Sequence, residues 1–306
     1  MRWMIDSART VAVVLAIVTG MSVVCIGAAA QDPELSGLLE RAATYLAAFG
    51  PKVSGIVAKE NYLQEVRSLT PSSNTPGMHV ADRSRRLLSD FSFLADEQEG
   101  WIEFRDVQSV NGQEVGQRER VIDLLANPSP NARLQARRIA EYGARFNLMI
   151  PAAIVNRTIN LPMSALLFLK GSEQRRSVFT LGRRERIDGT DAVVLQFQET
   201  ATPRLIGSDA GHAASGSFWI EPTTGAVVQS ELKFTTGSRA SQTRATIRVR
   251  YTPHPRFDVM LPAWMDEEYE TSGTGDSVIL GARAVYDDYR RFGVTTDEDV
   301  ALPVVP

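Results

Sequence analysis

Apolar positions along the chain change their spacing three times. From residue 35 to 49 they recur at helical intervals, with Leu38, Leu39, Ala42, Leu46 and Phe49 on one side, and Gly50-Pro51 is expected to stop that helix. Residues 53 to 69 switch to a period-two, β-rich pattern. A loop rich in Pro, Ser and Asn follows over 70–77. Two more strand-like runs, 83–94 and 101–110, lead to the tight-turn pair Asn111-Gly112.

Between about residues 118 and 170 the pattern is helical, broken at Asn127-Pro128-Ser129-Pro130 and at Ile150-Pro151. In its long helix Ile139, Tyr142 and Phe146 share a face. Arg133, Arg137, Glu141 and Arg145 form a charged stripe, which Arg–Glu pairing along the helix would support. The stretch 162–169 is almost wholly apolar, as for a segment that is buried or covers an apolar surface.

From Arg175 onward strand follows strand, with turns at Asp188-Gly189 and Thr224-Gly225. Three strands alternate cleanly. Val228, Ser230, Leu232 and Phe234 oppose Gln229, Glu231 and Lys233. Ala245, Ile247, Val249 and Tyr251 oppose Arg244, Thr246, Arg248 and Arg250. Met265, Tyr269 and Thr271 oppose Trp264, Asp266, Glu268 and Glu270. One dry and one wet face mark an antiparallel sheet. The basic face of the second strand and the acidic face of the third predict that these two are neighbours. The expected fold is α+β: a large curved antiparallel β-sheet, an open half-barrel, with helices covering the concave face. It would form a single domain over 31–306, with a helical insert at about 118–170.

The first thirty residues change the picture of where this domain works. Arg2 and Arg9 flank a charged start, an apolar run spans 11–26, and Ala28-Ala29-Ala30 closes the segment. These are the parts of a secretory signal, so residues 1–30 read as a signal peptide cleaved near Ala30, with a periplasmic or secreted product. Retention as an N-terminal anchor is the alternative. Cys25 follows Val24 rather than a small residue, which argues against lipidation there. It is the one cysteine among 306 residues, so a chain cleaved after Ala30 has no disulfide and no thiol chemistry. The formal net charge of −3 argues against nucleic acid as a partner.

Reactive signatures are sparse. His79, His212 and His254 lie in separate loops, and there is no His-Glu-x-x-His for zinc, no Gly-x-Ser-x-Gly elbow and no phosphate loop. Ser230 and Lys233 match Ser-x-x-Lys by spelling, yet positions three apart on a strand face opposite ways. No catalytic residue, metal or cofactor is therefore expected. A hydrolase built on carboxylates from different strands stays as an alternative, since Glu267-Glu268 and Asp287-Asp288 are adjacent pairs. Glu60, Tyr62 and Gln64 share a strand face with Ile56, Ala58 and Val66. On the concave side they would be polar contacts in an apolar pocket, with Leu166, Phe168, Leu232 and Phe234 as its apolar lining. On the convex side they would be a wet face with Val57 and Leu63 inside.

The stretch from Phe218-Trp219-Ile220-Glu221-Pro222 through Thr223-Thr224-Gly225-Ala226-Val227 resembles the central hairpin of the LolA/LolB-like lipoprotein-carrier superfamily. Ile187-Asp188-Gly189 leading into Ala192-Val193-Val194 resembles the hairpin before it. Val249-Arg250-Tyr251, Leu261-Pro262 and the run 286–292 complete the series, over about residues 175 to 293. The N-terminal part, through Val57-Ala58-Lys59-Glu60-Asn61-Tyr62-Leu63-Gln64, Ser89-Asp90-Phe91 and Phe104-Arg105-Asp106-Val107, is similar to secreted proteins of Gram-negative bacteria that carry no assigned activity. The resemblance implies an incomplete, curved barrel with helices over an apolar concave side. It implies an exported binding or carrier module for a lipid, an acyl chain or a lipidated protein. It also implies an alternative role as an envelope sensor or adaptor that binds another protein, for which Arg133, Arg137 and Arg145 would be the contact. The long helical insert departs from a minimal carrier.

Overall fold

The computed structural model describes residues 32–70, 84–116, 120–126, 130–148, 159–206, 213–238, 241–272 and 277–292. The described residues from Pro33 onward belong to one compact unit. The apolar run at 11–26, the loop at 70–77 apart from Thr70, His79, His212 and the break at Ile150-Pro151 lie outside them. Among the described residues, no helix is long and apolar enough to cross a membrane.

Helix α1 (Pro33–Val53) buries Leu38, Leu39, Ala42, Leu46 and Phe49, the positions its periodicity singles out. It runs past Gly50-Pro51 to Val53. Pro51 therefore does not stop the helix; it removes one amide donor only two residues before the end. Two antiparallel meanders follow. The first holds β1 (Ile56–Thr70), β2 (Ser84–Asp96), β3 (Gly100–Val110) and the short β4 (Gln113–Glu114). The second holds β5 (Ser177–Ile187), β6 (Thr190–Glu199), β7 (Ser215–Ile220), β8 (Val227–Ser238), β9 (Ser241–His254), β10 (Val259–Ser272) and β11 (Ser277–Arg291). Asn111 and Gly112 both have positive φ, as do Asp188 and Gly189, the two-residue hairpin turns that Asn-Gly and Asp-Gly predict.

The meanders join through β1 and β11, giving one open, eleven-stranded sheet in the order β4-β3-β2-β1-β11-β10-β9-β8-β7-β6-β5. This is the α+β class with an open curved antiparallel sheet that the strand pattern predicts. The basic and acidic strands are indeed neighbours: β9 pairs with β10, Arg248 opposite Asp266 and Arg244 opposite Glu270. Arg244 bonds Glu270 at 2.9 Å, but Arg248 turns to Glu231 on β8 and Asp266 to Arg283 on β11. The ladder thus spreads over four strands.

One consequence of the strand order governs the rest. β4 and β5 sit at opposite edges, so the chain between them must traverse the sheet. Its described regular pieces are α2 (Val121–Ala126), α3 (Ala132–Ala144), a 3-10 helix, Ser164–Leu169, and a single 3-10 turn, Gln174–Arg176. α2 and α3 pack on the outer face, where Val121, Leu124, Leu125, Ala136 and Ile139 cluster with Val57, Ile102 and Phe104. The 3-10 helix and α1 pack on the inner face with the main core. The stretch 162–169 is therefore buried, as its composition predicts. Phe168 lies 4.6 Å from Phe197 between ring centroids, and Phe197 stacks on Phe218 at 5.0 Å.

Where the crossing chain has no regular structure, its backbone groups need partners. Inner-face side chains supply them. The Leu148 amide donates to Gln64 Oε1 at 2.8 Å, and Arg85 donates to the carbonyls of Phe146 and Asn147 at 3.3 Å each. Tyr251 donates to the Pro162 carbonyl at 2.6 Å, and Glu103 Oε2 accepts from the Met163 amide at 3.0 Å.

Candidate functional site

Alternation along β1 sends Ile56, Ala58, Glu60, Tyr62 and Gln64 inward, and all five are buried. Glu60 meets Arg105 of β3 in a two-point ion pair, through Nε to Oε2 and through Nη2 to Oε1 at 2.6 Å. Both side chains are almost fully enclosed, at 0% and 6% exposure. Burial alone would lower the Arg105 pKa, but the Glu60 charge and its hydrogen bonds more than offset that and hold it above the ordinary guanidinium value. The same guanidinium lies 4.5 Å over the Tyr62 ring and donates to the Asn160 carbonyl at 3.3 Å.

On the other side of β1 the next strand, β11, carries Ala282 and Ala284 opposite Gln64 and Tyr62. These small side chains leave Tyr62 room to reach across β11 to Glu267 of β10, with Oη to Oε1 at 2.6 Å. Tyr269 donates to the second Glu267 oxygen at 2.5 Å. Asn160 closes the cluster by donating to Tyr62 Oη at 3.1 Å and Asn147 Oδ1 at 3.2 Å. A charged and polar cluster at this depth holds its shape only when its groups are mutually satisfied. The Tyr286 hydroxyl, buried with no hydrogen-bond partner among the described residues, has its pKa raised well above the phenolic value by burial and by the nearby Glu60 charge.

Beside this cluster lies a cleft of about 380 Å³ between β3 and α3. Arg137, Ala140, Glu141 and Ala144 line it from one face of α3, and Ile102, Glu103, Phe104 and Arg105 line it from β3. Asn147, Asn160 and Leu161 of the crossing chain close its inner end. Gly143 sets the spacing: a Cβ there would sit 2.5 Å from the Arg105 carbonyl oxygen, so only glycine lets α3 approach β3 this closely. Glu103 is partly buried at the cleft, and burial pushes its carboxyl up to about 8, against the smaller opposing effects of the Met163 amide and Arg105.

The residues expected to form a pocket separate into two groups. Glu60, Tyr62 and Gln64 sit together in the buried polar cluster. Leu166, Phe168, Leu232 and Phe234 are partners in the main core, and the cleft between β3 and α3 is lined by none of them. Arg133 and Arg137 do not pair with Glu141; both bind Glu99 in the β2–β3 turn, Arg133 at 2.6 Å. Arg145 lies 5.5 Å over the Tyr142 ring. His254 stacks 4.4 Å from Phe257 and its pKa is lowered by burial and by Arg256. Among the described residues no group of His, Cys, Asp and Glu could hold a metal ion. Glu103, Asn147 and Asn160 were not singled out by the sequence; Glu267 stood out only as half of an adjacent carboxylate pair, and Arg105 only as part of the stretch 104–107. β3 is covered on both faces, so alternation could not rank its polar positions. Glu267 interrupts an otherwise apolar face of β10, which was a further readable signal.

No family model matches the sequence, and no curated protein matches it. Among solved structures, a domain assigned to outer membrane lipoprotein sorting from Vibrio parahaemolyticus overlaps with a TM-score of 0.38 at 12% identity, covering 88% of this chain and 95% of that one. A DUF1329 family protein from Desulfovibrio piger overlaps at 0.35 with 9% identity, covering 89% and 95%. A Pseudomonas aeruginosa MucA/MucB complex matches at 0.19 with 10% identity, covering 84% of this chain and 97% of that one. At these scores and identities the likeness assigns this chain no ligand and no activity.

Two outcomes are expected of the cluster and its neighbour. Arg105→Met, which leaves Glu60 buried and unpaired, should cost about 3–5 kcal/mol in urea unfolding, and adding Glu60→Gln should recover much of it. Equal losses in the single and double variants would contradict the pairing. Glu103 carries a folded-state pKa of about 8 against 4.5 in the unfolded chain, so the native state holds its proton more tightly. Its contribution is complete below the lower value and is lost as pH rises through this window. Between about pH 5 and about pH 9 the protein should lose at least about 1 kcal/mol that Glu103→Gln does not lose. Parallel pH profiles for the two proteins would contradict it.

Proposed function

We propose that the protein is an exported binding or carrier module for a lipid or acyl-chain ligand, held in the cleft between β3 and α3. The observation that carries this reading is the make-up of the cleft. Ile102, Phe104, Ala140, Ala144 and Leu161 give it apolar walls, and the buried polar side chains of Arg105, Asn147 and Asn160 line it as well. A concave, largely apolar site with a few convergent polar groups is the usual form of a small-molecule pocket. Its volume lies within the usual range for such sites. The signal-like segment at residues 1–30 supports an envelope location.

A second reading has one specific observation behind it. Glu99, Glu103 and Glu141 line the same cleft, and two converging carboxylates are what a glycoside hydrolase needs. Arg133 and Arg137 hold Glu99, which leaves Glu103 as acid and Glu141 as base. Turnover of nitrophenyl glycosides by the protein, abolished in Glu103→Gln, would favour hydrolysis over binding.

The binding reading predicts that the apolar fluorophore 1-aminoanthracene binds with a dissociation constant of order 1–100 μM, or about −8 to −5 kcal/mol. Ala140→Phe, which fills the cleft, should weaken it at least about tenfold, or 1.4 kcal/mol, with circular dichroism unchanged. Undiminished binding in that variant would place the ligand elsewhere. N-terminal sequencing of the protein from an envelope fraction should begin at Gln31; a start at Met1 would contradict cleavage.

A further inference from the structure

We propose that the cleft between β3 and α3 selects amphiphiles whose polar head is a cation, a protonated primary amine on an apolar chain, over acids and alcohols of the same chain. The inference rests on reading the cleft as a binding site, and it concerns which headgroup that site takes.

It follows from the charges that line the cleft. Two basic side chains face it, Arg105 and Arg137, and each is already neutralised. Arg105 is committed to Glu60 at two points, and Arg137 to Glu99. Glu103 and Glu141 line the same cleft, and among the described residues no basic side chain forms an ion pair with either. The hydrogen bond described for Glu103 uses Oε2, which takes the Met163 amide. An incoming carboxylate would therefore meet two acidic groups and no free cation. An incoming ammonium would find Glu103 beside the apolar walls and Glu141 on the exposed face of α3.

The proton balance follows. At neutral pH Glu103 is mostly in its acid form, since burial raises its carboxyl to about 8. When an ammonium binds, the acid releases its proton to solvent and the carboxylate pairs with the ammonium, which keeps its own protons. Binding should therefore release close to one proton near pH 7 and tighten as pH rises toward the Glu103 value.

Calorimetric titration of the full protein with decylamine, decanoic acid and decanol, all below their micellar concentrations, tests this. Decylamine should bind at least about tenfold tighter than either other probe, a difference of 1.4 kcal/mol. Its heat should vary with the ionisation enthalpy of the buffer. Glu103→Gln should abolish the buffer dependence and reduce the preference to the roughly two- to threefold that Glu141 supplies. Glu141→Gln, on an exposed helix position where folding is not at issue, should weaken decylamine by about two- to threefold, as expected for an exposed charge. Equal binding of decylamine and decanol would overturn the headgroup selection and leave the cleft as a binding site. Tighter binding of decanoic acid would also overturn it. Absence of binding by all three probes would overturn the binding reading as well.

Discussion

The chain between β4 and β5 has to cross an eleven-stranded sheet, because those two strands are its opposite edges. Most of what is distinctive in the molecule follows from that constraint. A meander with short turns would leave its inner face to apolar side chains alone. Here the described part of the connection beyond α3, residues 145–148 and 159–169, packs on that face, and part of it is irregular. Irregular backbone brings amide and carbonyl groups into a buried layer, where each unpaired group costs about 1–3 kcal/mol. Gln64, Arg85, Glu103 and Tyr251 meet that need by bonding the crossing chain directly. Glu60, Tyr62 and Glu267 hold the polar layer together beneath it. The polarity of the inner face is thus first a consequence of topology.

The cleft is a second consequence. α3 leaves the sheet edge over β3, and the chain then turns inward at Asn147. The space between helix and strand is set by Gly143 against the Arg105 carbonyl at one point and by Ala140 and Ala144 elsewhere. Arg105 belongs to both features. Its side chain anchors the polar cluster, and its backbone meets the helix. A ligand in the cleft would therefore rest on groups already fixed by folding. Preorganisation of this kind spares a ligand the cost of ordering its site.

Much of the architecture was legible in the sequence, and for specific reasons. The alternation of Ala245 to Tyr251 and of Trp264 to Thr271 gave two strands and their pairing, because charge sign adds to period-two hydrophobicity. Asn111-Gly112 and Asp188-Gly189 marked their turns because both positions need positive φ. That Glu60, Tyr62 and Gln64 share one strand face was readable, but neither which side it takes nor its purpose was. Their partners lie on β3, on β10 and in the crossing chain, 45 to 205 residues away. Spacing along one strand carries no trace of such contacts. The cleft was hidden for a related reason. α3 shows its apolar residues to the outer face of the sheet, so two of its cavity-lining positions, Arg137 and Glu141, read as part of an ordinary charged stripe, and Ala140 and Ala144 carried no signal.

The central claim is that the crossing chain is fixed on the inner face by buried side chains, and so presents a preformed cleft. Native-state hydrogen exchange at two amides tests it most directly. The Leu148 amide is bound by Gln64 and the Met163 amide by Glu103, one on each side of the cleft's inner end. The account predicts that both exchange only through global unfolding, with the same protection as core amides of β9 and β10. Exchange of either amide through local opening, at free energies well below the global value, would show a loosely held connection and contradict the account.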